Sequence, residues 1–266
     1  MPRIKIVSFQ NPKIKELLKL KDRPARNKHQ LTVVEGLKEI YAAFEAGLHF
    51  HSIFVCKELL KKNASDIIQS AERNNIFIYE VPESTFHKIS YGDRDDGLIA
   101  VCQTPAKELN ELRLGRSPLV LVVENVEKPG NLGAILRTAD AIGISAVIVC
   151  DPKTDLFNPN AIRSSTGSIF RVNVVEAKAP EVFEFLKSHG IQICAATPEA
   201  STIYTQVDWN KPSAIVVGAE HSGLSAFWKK QSDCQVKIPL RGGADSLNVS
   251  VSAAVILYEA IRQRSS

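Results

Sequence analysis

Arg137 is a basic residue inside a run rich in Ala, Leu and Ile, and it follows Asn131 by six positions. A guanidinium stays protonated in proteins, so Arg137 could stabilise negative charge on an oxygen but is a poor proton acceptor. The alternative is a solvated arginine on the outer face of a helix. Asn131 is equally ambiguous, because asparagine suits a polar site and is also a common helix N-cap. Their spacing alone leaves both alternatives open.

The elements around these two residues predict a βαβ unit. The apolar run 119–123 indicates a buried strand, and a Pro-Gly pair ends it. Asn131 would then cap a helix over 132–142, whose apolar residues recur at the helical period. A second apolar run, 146–150, follows at once. Ligands bind such units at the carboxyl ends of the strands, which is where Asn131 lies.

Composition predicts a protein of the globular class, with 44% hydrophobic and 23% charged residues in 266. No apolar stretch is long enough to span a membrane. The N-terminus lacks the apolar segment of a secretion signal. The five cysteines have neither metal-ligand nor redox spacing, which indicates reduced thiols and a cytoplasmic protein.

Charge is unevenly distributed along the chain. The net charge is +4, yet residues 1–30 hold nine Lys or Arg against two Asp or Glu. A basic end of this kind suits contacts with phosphate groups. A solubilising terminus would have the same composition, so charge alone does not separate the two.

The pattern of strands and helices predicts two α/β domains joined by a polar linker. Residues 1–106 form a small alternating α/β domain, 107–117 the linker, and 118–266 the second domain. Within the first domain, the polar residues 21–30 are predicted to be a loop. Within the second, residues 169–175 are predicted to be a strand.

Two further polar motifs lie at the ends of apolar strands in the second domain. One is VVGAEHSGL at 216–224, and the other combines IPL at 238–240 with SLNVS at 246–250. Together with NLG at 131–133 and RTA at 137–139, they resemble the three ordered signatures of the SpoU family. That family comprises RNA ribose 2′-O-methyltransferases of the SPOUT superfamily.

The resemblance extends to most of the chain, with two small departures. Leu240 stands where Met is common, and Glu127-Lys128 precede Pro129 where an acid is often adjacent. The segment 22–47 resembles the N-terminal substrate-binding domain of many SpoU proteins, which itself resembles small RNA-binding ribosomal proteins.

The resemblance implies a parallel sheet with a deep trefoil knot in the C-terminal domain, and a homodimer. It also implies S-adenosylmethionine as the methyl donor, with no metal, and RNA as the partner. A separate N-terminal domain favours ribosomal RNA, with transfer RNA as the alternative. The donor would be bound by residues of the second and third motifs: Val217, Gly218, Ala219, Glu220, Gly223, Ile238, Leu240, Leu247 and Asn248. Gly218 and Gly223 would allow the backbone to approach adenine closely.

The resemblance assigns catalysis to five residues: Arg137, Asn131, Glu220, Ser246 and Asn248. Arg137 would stabilise the developing alkoxide, and Glu220 could orient Arg137 or relay a proton. The other three are short polar groups suited to holding a nucleotide. Each has a structural alternative, since Ser246 or Asn248 could only cap the last helix and Glu220 could be a surface acid.

Four basic residues are candidates for contacts with RNA: Arg23, Arg26, Lys28 and Arg163. Arg163 could equally be a surface arginine. For the homodimer, the last helix offers an apolar stripe that could face a second subunit or pack internally: Ala253, Ile256, Leu257, Ala260 and Ile261.

Two other functional classes compete with the methyltransferase. A dinucleotide-binding oxidoreductase would share the βαβ start, but Gly130 and Gly133 do not form the GxGxxG fingerprint. A non-catalytic RNA-binding factor would need neither Arg137, Glu220 nor Asn248, all of which are present.

Overall fold

The computed structural model describes residues 3–91, 96–220 and 222–265, and only the backbone of Lys62. His221, for which the sequence suggests no role, lies outside these ranges. The strands are β1 Arg3–Lys5, β2 Leu31–Glu35, β3 Phe50–Val55, β4 Phe77–Glu80, β5 Leu98–Gln103, β6 Leu119–Glu124, β7 Ala146–Cys150, β8 Val174–Ala177, β9 Gln192–Ala196, β10 Thr202–Ile203, β11 Ser213–Val217 and β12 Cys234–Lys237.

The helices alternate with these strands along most of the chain. They are α1 Pro12–Lys19, α2 Arg23–His29, α3 Leu37–Glu45, α4 Ser65–Arg73, α5 Glu83–Ile89, α6 Pro129–Ile142, α7 Pro159–Ser164, α8 Ala179–Ser188, α9 Ala226–Gln231 and α10 Val249–Arg264. Short 3₁₀ turns cover Lys62–Ala64, Leu109–Glu111, Ser168–Phe170 and Tyr204–Gln206. In the described part of the chain, no helix is long and apolar enough to cross a membrane.

The chain forms two compact units. One consists of Met1–Ala106 together with Phe157–Arg171, and the other of Lys107–Leu156 together with Val172–Ser266. The segment Phe157–Arg171 leaves the second half of the sequence to join the N-terminal unit. There the hydroxyl of Thr32 donates a hydrogen bond to the carbonyl of Phe157 at 2.8 Å. No sequence pattern marks this excursion, because it depends on a contact between residues far apart in the chain.

The N-terminal unit contains a five-stranded mixed sheet in the order β1-β4-β3-β5-β2. Strands β1, β4 and β3 are parallel, whereas β5 runs antiparallel to β3 and β2. Helices α1 and α5 contribute to the core of this unit through Ile14, Leu17, Phe86 and Ile89. The predicted loop 21–30 is wrong, since residues Arg23–His29 form α2, with a proline in its first turn where the missing N–H is harmless.

The C-terminal unit contains a seven-stranded sheet in the order β10-β12-β9-β11-β6-β7-β8. All of its strand pairs are parallel, which confirms the parallel sheet. Its central strands are buried along their length, so they read as continuous apolar runs in the sequence. The trefoil knot stays a prediction.

Two boundaries in the C-terminal half differ from those predicted. Helix α6 begins at Pro129, so Lys128 is its N-cap residue and Asn131 lies inside its first turn. Proline favours the first position of a helix, because its fixed φ angle suits the helix start. The predicted strand 169–175 is also wrong. Residues Ser168–Phe170 form a 3₁₀ turn, and β8 begins only at Val174.

Candidate active site

The first and second motifs meet because β6 and β11 are neighbours in the parallel sheet. Val123 and Val217 are paired near the carboxyl ends of these strands. The chain that follows β6 enters α6 and carries Asn131, and the chain that follows β11 carries Glu220. Polar groups from two distant parts of the sequence therefore meet at one edge of the sheet, as expected for a doubly wound α/β unit.

Glu220 accepts hydrogen bonds from two asparagines. The Nδ2 atoms of Asn131 and Asn248 both lie 2.5 Å from its Oε1 atom. Asn248 Nδ2 also lies 3.3 Å from Asn131 Oδ1, so one residue from each motif joins the cluster. Two amide donors on one carboxylate oxygen hold Glu220 in a fixed orientation.

Asn248 caps a helix and also contacts the polar cluster, while its role in catalysis stays a prediction. It is the N-cap of α10, where its Oδ1 atom accepts from the backbone N–H of Ser250 at 2.9 Å. Its Nδ2 atom meanwhile donates to Glu220. Asn131, by contrast, caps nothing, because α6 begins two residues before it. The side chain of Asn131 is therefore committed to the polar cluster.

Lys128 belongs to this cluster, although the sequence gave it no role. Its Nζ atom lies 2.8 Å from Glu220 Oε2, the oxygen that faces away from the asparagines. The hydrogen bond and the charge of Glu220 raise the pKa of Lys128 above its ordinary value. The available signal was the position of Lys128 at a strand end beside the first motif. Glu220 was expected to orient Arg137, whereas the structure pairs it with Lys128.

Gly218 permits the tight loop that presents Glu220. Backbone N–H of Gly223 donates to the carbonyl of Ala219 at 3.0 Å, which folds the loop back on itself. A Cβ atom on Gly218 would lie 2.3 Å from the carbonyl carbon of Gly223 and 2.4 Å from the nitrogen of Leu224. Gly223 has open space around it but a φ of +63°, which favours glycine. Gly218 is thus required by the loop backbone itself, not only by an adenine ring.

A cleft of about 130 Å³ collects most of the residues expected to bind the donor. The members of that set that line it are Val217, Gly218, Ala219, Glu220, Gly223, Ile238, Leu240 and Leu247. Asn248 does not line it, because its side chain is turned towards Glu220. Sequence reasoning missed the wall formed after β9 by Ala196, Thr197 and Pro198. The signal for it in the sequence was the largely apolar run that ends at residue 196.

A small space of about 10 Å³, enough for about one water molecule, shares a wall with this cleft. It is lined by Lys128 and Asn131 on one side, and by Gly218, Ala219 and Glu220, which the two spaces have in common. Glu220 therefore borders both spaces. A group held in the donor cleft would therefore lie beside this carboxylate. In the described part of the chain, no three His, Cys, Asp or Glu side chains cluster as metal ligands.

Arg137 and Ser246 stand apart from the polar cluster. Arg137 is exposed on α6 and has no hydrogen bond or ion pair with any residue that the structure describes. Within one chain Arg137 therefore lies on the outer face of the helix, as expected for a solvated surface arginine. Ser246 is exposed and lines the donor cleft rather than capping α10.

The four residues expected to contact RNA all lie in the N-terminal unit. Arg26 is only 4% exposed, and its Nη1 atom donates to the carbonyls of Leu20 and Lys21 at 2.7 Å each. It holds the end of α1 and is not available as a surface contact. Lys28 is exposed on α2. Arg163 is half-buried in α7 and donates to the carbonyl of Tyr91 at 3.3 Å.

Two known protein families match this chain, one in its C-terminal part and one in its N-terminal part. Residues 118–258 match the model of the SpoU rRNA methylase family, and residues 11–100 match that of the MRM3-like substrate binding domain. The 23S rRNA (guanosine(2553)-2′-O)-methyltransferase RlmP of Bacillus subtilis is 32% identical over 95% of this chain and 97% of its own length.

Solved structures resemble the chain over nearly its whole length. The crystal structure of an RNA 2′-O ribose methyltransferase is 41% identical, with a TM-score of 0.87 over 99% of this chain and 100% of that one. The SpoU methyltransferase AviRb from Streptomyces viridochromogenes, in complex with the cofactor AdoMet, is 27% identical, with a TM-score of 0.87 over 96% and 99% of the two chains. The chain therefore belongs to the SpoU rRNA methylase family of S-adenosylmethionine-dependent RNA 2′-O-methyltransferases.

Proposed function

We propose that this protein transfers a methyl group from S-adenosylmethionine to a ribose 2′-hydroxyl of ribosomal RNA. The observation that carries this proposal is the position of Glu220 on the wall of the donor cleft, held there by Asn131 and Asn248. The name of the Bacillus subtilis relative supports ribosomal RNA as the substrate. Membership of the family leaves the oxidoreductase alternative without support.

The residues that line the donor cleft suit the chemistry of S-adenosylmethionine. Gly218, Ile238, Leu240 and Leu247 offer apolar side chains and backbone to a flat adenine ring. Thr197, Ser246 and Ser252 also line the cleft and offer hydroxyl groups for polar parts of the donor. When bound, the donor supplies a methyl group activated by a sulfonium. The similar protein AviRb was solved in complex with the cofactor AdoMet, which supports the same ligand for this protein.

The polar cluster would act on a nucleotide placed beside the donor cleft. Glu220 is held with one oxygen on the two asparagines and the other on Lys128. A carboxylate in that position can accept the proton of a ribose hydroxyl or orient the hydroxyl for attack. Lys128 Nζ can neutralise charge as it develops on the attacking oxygen, and Asn131 can fix the sugar.

Arg137 would serve a site in a homodimer, because one chain gives it no partner among the described residues. The apolar stripe predicted for the dimer contact does not support that part of the proposal. Ala253, Ile256, Leu257 and Ala260 are fully buried within one chain. The outer face of α10 is a better candidate, since Val251 and Tyr258 are 47% and 54% exposed and lie at helical spacing with Val255.

The C-terminal residues 118–266 would carry out catalysis, with the knot implied by the family, while residues 1–106 would bind RNA and 107–117 would link the two. The match to a substrate binding domain over residues 11–100 supports this division. Ribosomal RNA as substrate also supports a cytoplasmic protein.

The experiment that tests the proposed function measures transfer of a labelled methyl group to three purified RNAs. The full chain is incubated with methyl-labelled S-adenosylmethionine and unmodified 23S rRNA, 16S rRNA or transfer RNA. We expect label in a ribosomal RNA. Label in transfer RNA alone would show that the substrate is transfer RNA and not ribosomal RNA. No label in any of the three would favour a non-catalytic RNA-binding factor.

A further inference from the structure

A second large cavity lies entirely within the N-terminal unit. It has a volume of about 360 Å³ and is bounded by α1, by the end of α2 and by one face of the sheet formed by β2, β3 and β5. Pockets for small organic groups have volumes of about 300–1,000 Å³. None of its lining residues belongs to the candidate active site. The cavity is therefore a separate candidate for binding.

A β-bulge in β3 turns two consecutive side chains into this cavity. The pairing of β3 with β5 shifts between Phe50 and Ser52, so His51 is the extra residue. In a regular strand, neighbouring side chains point to opposite faces of the sheet. Here both His51 and Ser52 line the cavity. Bulges often re-aim side chains beside functional sites.

Ser52 is a buried polar residue without a partner. It is 3% exposed, and its hydroxyl makes no hydrogen bond with any residue in the described ranges. The Ser52 oxygen is not one of the fully buried unpaired side-chain atoms of the described chain, so it reaches the open space of the cavity. There it could donate or accept a hydrogen bond with a ligand.

The remaining lining residues indicate which chemical class that ligand has. Leu17, Phe54 and Val101 are apolar residues of the cavity wall, each at most 4% exposed. Lys19 and His29 are exposed side chains that also line it, beside an ion pair between Lys13 and Glu16. A planar base would meet the apolar wall and the polar pair His51 and Ser52, and a phosphate would meet the cation at the rim. A nucleotide combines these features.

We propose that this cavity binds one unstacked nucleotide of the RNA substrate, with the base inside and its phosphate at Lys19 and His29. The inference rests on the proposed function, because RNA is the polymer that the C-terminal unit would modify. Sequence-specific RNA recognition acts mainly on splayed-out bases, which are held by aromatic surfaces and by hydrogen bonds to their edges. The cavity would thereby select which RNA segment is presented for methylation.

The test compares RNA oligomers that carry bases with an abasic oligomer that has the same phosphate groups. Fluorescence anisotropy measures binding of the full-length protein to labelled single-stranded RNA decamers of each base, and to an abasic ribose-phosphate decamer. We expect at least one base to bind about ten-fold more tightly than the abasic chain. Ser52→Leu, which fills the cavity, should remove most of that preference. His51→Ala should reduce it, whereas His49→Ala, an exposed histidine outside the cavity, should not.

A folding check and a second substitution separate an effect on base binding from an effect on folding. Circular dichroism checks that Ser52→Leu is folded, and Ser52→Ala repeats the test with a smaller change that removes only the hydroxyl. Unchanged base preference in folded Ser52→Leu and in His51→Ala would overturn the proposal. A free ribonucleoside monophosphate that binds this cavity as tightly as the decamer would also overturn it. Methyl transfer to ribosomal RNA by the wild-type protein, measured in parallel, would show that the proposed function stands even if the cavity proposal fails.

Discussion

Asn131 and Glu220 are 89 positions apart in the chain, and the amide nitrogen of the first lies 2.5 Å from a carboxylate oxygen of the second. Parallel pairing of β6 with β11 brings the two together. Asn248 joins them from the start of α10, so each of the three motifs contributes one member. The proposed methyl transfer depends on this cluster, because it fixes the carboxylate on the wall of the donor cleft.

Gly218 should tolerate substitution less well than Gly223, although both belong to the same motif. Gly218→Ala would place its Cβ 2.3 Å from backbone atoms of Gly223, so the loop must move. Gly223→Ala has space for its Cβ and strains only a left-handed φ, at a cost of ~1 kcal/mol. We expect calorimetry to show loss of S-adenosylmethionine binding in Gly218→Ala and a reduction of a few-fold in Gly223→Ala. Equal affinities in the two variants would contradict this role of the loop.

Arg137→Ala should abolish methyl transfer without changing the stability of the protein. The exposed Arg137 side chain has no partner among the described residues, so the melting temperature should not change. Single-turnover assays should show a loss of about 100-fold or more, as for removal of a charge-stabilising group. Arg137→Lys should also be poor, because an ammonium cannot reproduce the guanidinium fork. Near-normal turnover in Arg137→Ala would make it an ordinary surface arginine.

Tyr258→Glu should convert the proposed dimer into a monomer. Tyr258 is a large, exposed apolar group on the outer face of α10, and a charge there would have to be desolvated in an interface. Tyr41→Glu is the matched control, since Tyr41 is 50% exposed on α3 in the N-terminal unit. Sedimentation velocity should show a monomer only for Tyr258→Glu. A dimer that survives this change would exclude the outer face of α10 as the contact.

Arg26→Ala should destabilise the N-terminal unit, whereas Lys28→Ala should not. Two short hydrogen bonds join the buried Arg26 guanidinium to carbonyls at the end of α1, and losing them should lower the free energy of unfolding by about 2 kcal/mol. Lys28 is exposed on the same helix. Urea denaturation measures the difference. For Lys28→Ala we instead expect a smaller salt dependence of RNA binding, by the amount that corresponds to the loss of about one phosphate contact.

The C-terminal half could be predicted well from the sequence because its strands are continuous apolar runs. Strands such as β6, β7 and β11 are buried on both faces, and short polar motifs follow them, so both the sheet and most of the donor cleft were predictable. The role of Lys128 was not predictable from the sequence. Its partner, Glu220, lies on another strand end, and only the sheet order brings the two charges together.

Contacts between distant segments account for the other differences. Cys194 and Cys234 lie opposite each other on β9 and β12, with Sγ atoms 2.8 Å apart, although their spacing in the sequence gave no sign of proximity. The segment Phe157–Arg171 joins the N-terminal unit for the same reason. Arg26 was read as a surface residue from its polar surroundings in the sequence. Its burial depends on the carbonyls at the end of α1.

The most direct test of the central claim locates the transferred methyl group and asks whether it depends on Glu220. Ribosomal RNA treated with protein and deuteromethyl-labelled S-adenosylmethionine is digested to nucleosides and analysed by mass spectrometry. We predict label on the ribose 2′-oxygen of one nucleoside, reduced by about 10²–10⁴-fold in Glu220→Gln, because the charge that pairs with Lys128 is lost. Glu184→Gln, an exposed residue of α8, should retain full activity. Label on a base, or normal activity in Glu220→Gln, would contradict the account.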